Sequence, residues 1–262
     1  MAGYYLGTTR LDVPALCHTL VGTALVAGGA SAFNQLAEQD VDGLMQRTRL
    51  RPLPDGRLSA VAAGWFALSL SAIGLVQLAL GVNLLAASVA LVTLLTYTLV
   101  YTPLKRRTSL STLVGGVPGA LPPVIGWTAA TGTLSVEAWV LFAIVFLWQM
   151  PHFLAIAWLC RDDYARAGLK MLPVVEPDGR STATQVMLYA AVLVPASLVP
   201  TLIGLAGAVY FAGAALLGAA FFGLALRFAI GRNNEAARAL FIGSITYLPL
   251  LWSLMLANHV AN

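Results

Sequence analysis

Apolar runs long enough to cross a bilayer recur from one end of this chain to the other, separated by short polar segments. At about 20 residues per span, they fall at roughly 14–37, 58–80, 84–102, 110–130, 137–160, 183–204, 207–229 and 237–257. Eight transmembrane helices are therefore predicted. None of the runs alternates polar and apolar positions as a membrane β-strand must. The fold class is all-α, a polytopic helical bundle forming one membrane domain over residues 1–262. Pro14 suits the first turn of a helix. Pro118, Pro122, Pro123, Pro195 and Pro200 fall inside spans and predict kinks or local breaks.

The polar segments alternate in character. Those near 38–57, 103–109, 161–182 and 230–236 are charged, whereas those near 81–83, 131–136 and 205–206 carry no Lys or Arg. Of the 15 basic residues, 14 lie in or beside the first set, and Arg10 alone falls on the other side. Basic loops stay in the cytoplasm, so this is a protein of the cell inner (plasma) membrane with its charged loops cytoplasmic. The start of the first span and residues 258–262 then face out. Orientation does not require acids, yet nine of the 11 acidic residues share the basic side. A face rich in both signs predicts a binding site there, at the mouth of a central cavity.

Composition agrees with this picture. The chain is 59% hydrophobic and 10% charged, against roughly 25% charged in soluble domains. The net charge of +4 is not gathered into a basic stripe suited to nucleic acid. Cys17 and Cys160 sit within apolar runs and read as small core residues.

The densest chemistry lies where the first run ends. Asn34, Glu38 and Asp42 recur at i, i+4 and i+8, one stripe of oxygen ligands on a helix, with Arg47, Arg49 and Arg51 just beyond. Asn34 and Glu38 lie at or below headgroup depth, where ionisable groups are usually functional. Hard oxygens in a sparse set suit Mg²⁺, which completes its shell with water and substrate phosphate. A diphosphate–Mg²⁺ site is predicted. Asp162 and Asp163 follow another apolar helix and form a second acidic corner. Lys105 and Arg106, with Arg47 and Arg51, are the candidate phosphate contacts. His152 lies inside a span, eleven residues or about three turns before Asp163 and so on the same face. It reads either as a helix–helix hydrogen bond or as a group lining the cavity. The spacing of Asp42 to Pro52 repeats in Asp163 to Pro173, 121 residues on, which suggests two four-helix halves.

Together these residues resemble a known family. Asn34-x3-Glu38-x3-Asp42 with Arg47-Thr48-Arg49-x-Arg51-Pro52-Leu53 resembles the first aspartate-rich motif of the UbiA-like intramembrane prenyltransferases. Four further strings narrow the likeness: Tyr101–Thr108, Gly115–Trp127, Trp148–Phe153 and Asp162–Pro173. They resemble the protohaem IX farnesyltransferase (haem O synthase) branch. The resemblance implies transfer of the farnesyl group of farnesyl diphosphate to a vinyl group of haem b, giving haem O and diphosphate. It implies Asn34, Glu38, Asp42, Asp162 and Asp163 as Mg²⁺ ligands, and Lys105, Arg106, Arg47 and Arg51 as diphosphate contacts. Lys105 is also implied as catalytic. His152 and Tyr164 are candidates for holding the haem acceptor. Membrane lipid, and haem A synthase or terminal oxidase assembly, are the candidate partners. The family has nine spans, so Met1–Gly7 is expected to be the tail of an absent first one, through either a misassigned start or a truncation. The chain departs from the family pattern at Leu50, Ser111 and Ala167, the last standing where a second-motif carboxylate is common. The rival readings are a prenyltransferase with an aromatic quinone-precursor acceptor, an ion-coupled transporter, and a haem-binding subunit.

Overall fold

In a computed structural model the chain folds as an all-helical bundle. Residues 1–8 and 10–260 are described, so residues 261 and 262 of the expected outer tail lie outside the described part. The described residues hold eight helices long and apolar enough to cross a membrane: Val13–Ala37, Ala60–Gly81, Leu84–Leu104, Ser111–Thr131, Val136–Leu159, Arg180–Leu202, Ala208–Gly231 and Asn234–Ala257. Each meets its expected span to within three residues at either end.

Local chemistry sets the helix starts. The side chains of Asp12, Ser59, Asn83 and Asn233 each accept from a backbone N–H three residues on, at the heads of the first, second, third and eighth spans. Such caps satisfy donors that the helix itself leaves free. Pro14 sits in the first turn of the first span as expected. The fourth span breaks at Leu121, just before Pro122 and Pro123. Pro118, Pro151, Pro195, Pro200 and Pro249 stay within helices. Large apolar side chains such as Trp65, Leu80, Leu216 and Ile230 face outward, as they do on a helix surrounded by lipid. Cys17 is exposed on this outer surface, contrary to the expectation of a core position.

Without a hydrophobic force between helices in lipid, close backbone approach does the packing. The first and second spans meet along Gly22, Gly29, Ala67, Ser71 and Gly74. A Cβ on Gly74 would lie 2.7 Å from the carbonyl oxygen of Gly22, closer than such atoms pack.

The spans form two rings of four. The first packs on the second, the second on the third, the third on the fourth and the fourth on the first. The fifth to eighth repeat that order, and the fourth and fifth join the rings. The 121-residue offset carries each span of the first ring onto its counterpart in the second, so the expected halves are visible in the packing. Within Met1–Gly7 a short helix, Ala2–Leu6, buries Tyr4 and Leu6 against the Pro122–Thr131 half of the fourth span.

Candidate active site

One cavity of about 270 Å³ opens among the charged loops, walled mainly by the first, third, fourth and fifth spans. Its two facing walls have the same register. Asn34, Glu38 and Asp42 recur at i, i+4 and i+8 on one side, and Tyr97, Tyr101 and Lys105 do so on the other. The second wall contains a distortion, because Thr96–Tyr101 widens into π-helical turns. Pro103 accounts for this: its ring crowds the carbonyl four residues back and its nitrogen has no proton to donate. Thr102 Oγ1 donates to the Tyr97 carbonyl at 2.9 Å. Widened turns of this kind recur at functional sites. Gly115 of the fourth span lets the Tyr101 ring lie flat against its backbone; a Cβ there would come within 2.5 Å of the ring.

Buried opposite charges meet at the cavity wall. Glu38 and Asp42 are 5% and 1% exposed, and Asn34 is 7%. Lys105 Nζ lies 2.9 Å from Glu38 Oε1 and 3.0 Å from Oε2, donates to Asn34 Oδ1 at 3.1 Å, and stands 4.5 Å from the Tyr101 ring centroid. Asn34 Nδ2 donates to Glu38 Oε2 at 2.7 Å, and Thr102 Oγ1 to Asn34 Oδ1 at 3.2 Å. Arg51 Nη1 donates to Asp42 Oδ2 at 2.7 Å, while Thr48 Oγ1 donates to the Asp42 carbonyl at 2.9 Å. Arg47 reaches the same cavity from its exposed rim. Ser31, Gly115, Phe153 and Ile156 continue the wall along the spans.

Two loops lie together over the mouth. Val41 and Met45 of the first pack on Ala167 and Leu169 of the second, with Tyr164 and Met171 against them. Lys170 N donates to the Lys105 carbonyl at 3.0 Å, which ties the second loop to the end of the third span. Tyr164 lines the cavity, and burial pushes its phenol up to about 12, with the nearby Arg47 charge opposing the rise. Ala167 is thus occupied in apolar contact between loops, which explains in packing terms the absence of a carboxylate at this position.

The structure does not bring every expected residue to the cavity. Asp162 is exposed, and Asp163 pairs with Arg166; neither lines the wall. Arg106 points to a separate surface groove and forms a two-pronged pair with Asp40, one prong at 2.9 Å. Its hydrogen bond holds the Asp40 carboxyl below the usual range, and the same bond raises Arg106. His152 faces the eighth span, where its Nδ1 lies 2.7 Å from Ser244 Oγ and its ring stacks on Trp148 and Phe241. Trp148 Nε1 donates to the Ser244 carbonyl, and Gln149 Nε2 to the Gly116 carbonyl. The Trp148–Phe153 motif therefore fastens helices together.

Tyr164, a candidate from the sequence, does line the cavity. Phe153 was missed: it stands one position from His152, on the next face of the fifth span, about 100° round the helix. Tyr97 and Tyr101 could have been found by extending the i, i+4 stripe back from Lys105.

The donor set fits a hard divalent cation. Glu38 Oε1 is buried with no well-aligned hydrogen-bond donor, although Lys105 Nζ is near, and the amide oxygen of Asn34 stands beside it. Among the described residues no three His, Cys, Asp or Glu side chains are gathered into a metal cage. An ion here would take the rest of its shell from water and a phosphate ligand, as Mg²⁺ commonly does.

The fold thus sets a charged cavity at one end of a bundle of eight membrane-length helices, and comparison with known proteins gives the family. The UbiA prenyltransferase family model matches residues 1–255. The chain belongs to this family. It is 53% identical over 267 residues to the protoheme IX farnesyltransferase of Solibacter usitatus (strain Ellin6076), covering 98% of this chain and 91% of that protein. The corresponding enzyme of Myxococcus xanthus (strain DK1622) is 49% identical over 259 residues, covering 98% and 88%. Among solved structures, one of a digeranylgeranylglyceryl phosphate synthase superposes with a TM-score of 0.83 at 17% identity, over 98% of this chain and 90% of that one. A UbiA homolog from Archaeoglobus fulgidus bound to DMAPP and Mg²⁺ gives 0.67 at 17%, over 97% and 92%. These two likenesses establish the shared fold.

Proposed function

We propose that this chain is a protohaem IX farnesyltransferase of the cell membrane. It transfers the farnesyl group of farnesyl diphosphate to a vinyl group of haem b, with addition of water, to give haem O and diphosphate. Its charged loops face the cytoplasm, in keeping with the distribution of Lys and Arg. The observation that carries the reading is the wall of the cavity, where Glu38, Asp42 and Asn34 meet Lys105, Arg51 and Arg47 at the end of the spans. Identity of 53% and 49% to enzymes of that name, over 98% of this chain, supports the choice of acceptor.

In this reading Asn34, Glu38 and Asp42 hold Mg²⁺, which when bound neutralises charge on the departing diphosphate. Lys105, Arg51 and Arg47 take phosphate oxygens, and Arg does so in a fork that Lys cannot match. The allylic C–O bond breaks and its electron pair leaves with diphosphate. The vinyl π pair forms the new C–C bond, and water adds to the resulting carbocation with loss of a proton. Tyr97 and Phe153, whose rings line the cavity, attract the positively charged allylic carbon. The packed loops limit premature capture by water. Asp162, Asp163 and Arg106 lie outside the cavity wall, and His152 holds the fifth span to the eighth. Membranes carrying Asp42→Ala, supplied with haem b, farnesyl diphosphate and Mg²⁺, are expected to form no haem O. Undiminished haem O from that variant would overturn the assignment.

A further inference from the structure

Both carboxylates expected to hold a divalent cation are already engaged by cations of the chain itself. Lys105 Nζ contacts both oxygens of Glu38, and Arg51 Nη1 contacts Asp42 Oδ2 at 2.7 Å. The carboxylates of both pairs are almost fully buried; the Lys105 side chain is 13% exposed and that of Arg51, nearer the rim, 34%. At such sites the attraction is much stronger than in water, and removing one partner without replacing it is strongly unfavourable. A metal ion arriving alone from the cavity therefore meets an ammonium at the oxygens it needs.

Diphosphate changes the balance. It brings several anionic oxygens onto which the ammonium and guanidinium can move, which frees carboxylate lone pairs for the metal. Lys105 is suited to such a move. Its flexible stem lets the head group swing, and the face of Tyr101, 4.5 Å away, attracts the cation beside either set of oxygens.

We propose that Lys105 and Arg51 are exchangeable counter-cations that admit divalent metal to Glu38 and Asp42 only in company with diphosphate. The proposal rests on the reading of this cavity as a prenyl diphosphate site, and it adds a mutual requirement between metal and substrate. By linkage, metal must strengthen diphosphate binding by the same factor as diphosphate strengthens metal binding.

The test uses the full chain in lipid nanodiscs, titrated with MnCl₂ with and without inorganic diphosphate, with protein-retained Mn²⁺ counted after ultrafiltration. Wild type is expected to retain Mn²⁺ at least about tenfold more tightly with diphosphate, within the usual range of site coupling. Lys105→Met should retain Mn²⁺ alone about tenfold more tightly than wild type, with little further gain from diphosphate. Equal retention by wild type with and without diphosphate would overturn the proposal, as would a folded Lys105→Met that binds Mn²⁺ alone no better than wild type. Should that variant fail to fold, the wild-type comparison decides by itself. Retention in neither condition, or retention indifferent to Asp42→Asn, would instead remove the diphosphate–metal site on which the proposal rests.

Discussion

Lys105 and Glu38 are 67 residues apart in the chain, yet the lysine ammonium lies within 3.0 Å of both oxygens of the buried carboxylate. This contact joins the end of the third span to the end of the first and fixes the distance across the cavity. Lys105→Met leaves the Glu38 charge uncompensated and should destabilise the protein by about 3–5 kcal/mol, the usual cost of breaking a buried pair. Adding Glu38→Gln should restore most of the stability and none of the activity, which stays at least about a hundredfold below wild type. Thermal unfolding in detergent and prenyl transfer, measured on the same preparations, separate the two effects.

Gly115→Ala tests the third wall of the cavity. The new Cβ would lie 2.5 Å from the Tyr101 ring, at a cost of about 1–3 kcal/mol for overpacking. The ring that faces Lys105 must shift, so activity should fall further than stability. Gly115→Ala with unchanged turnover would mean that Tyr101 does not position the lysine.

Ala167→Asp should not create a better metal site. The side chain lies at the apolar contact between the two loops, beside Val41, Met45 and Leu169, and a carboxylate there is buried without a partner. The expected result is faster proteolysis between residues 161 and 175, and lower activity at every Mg²⁺ concentration. Higher affinity for Mg²⁺ would contradict the packing account.

The Tyr164 phenol gives a prediction in pH. Burial raises it to about 12 in the folded chain, against about 10 when unfolded. The folded state therefore binds this proton more tightly, so its contribution is complete below about pH 10 and is lost as pH rises towards 12. Thermal stability of wild type and Tyr164→Phe should run parallel up to about pH 10. Above that, wild type should lose stability faster.

Much of this was legible in the sequence, because lipid imposes a simple rule on it. A span must be apolar for about 20 residues and satisfy its own backbone, so helix number and boundaries can be read directly. The Asn34, Glu38, Asp42 stripe was legible for a related reason: polar groups at that depth stand out. What the sequence concealed was rotation. Choosing between the face of His152 and that of Phe153 requires knowing which neighbour each meets, and in a helix apolar all round the pattern gives no answer. The broadened turn ahead of Pro103 has a cause in the sequence, the proline, but the neighbours that Tyr97 and Tyr101 meet there do not. Arg106 was legible as a cation at the right membrane face; its partner, Asp40, became visible only in three dimensions.

The central claim is the reaction itself, and mass spectrometry of haems reports on it directly. The chain is expressed in cells that make haem b but neither haem O nor haem A, and the extracted pigments are weighed. The account predicts a new haem heavier than haem b by one farnesyl group and one hydroxyl, absent when Asp42→Ala is expressed. Haem b alone, from cells whose membranes hold the folded protein, would contradict it, as would the farnesyl group on any other acceptor.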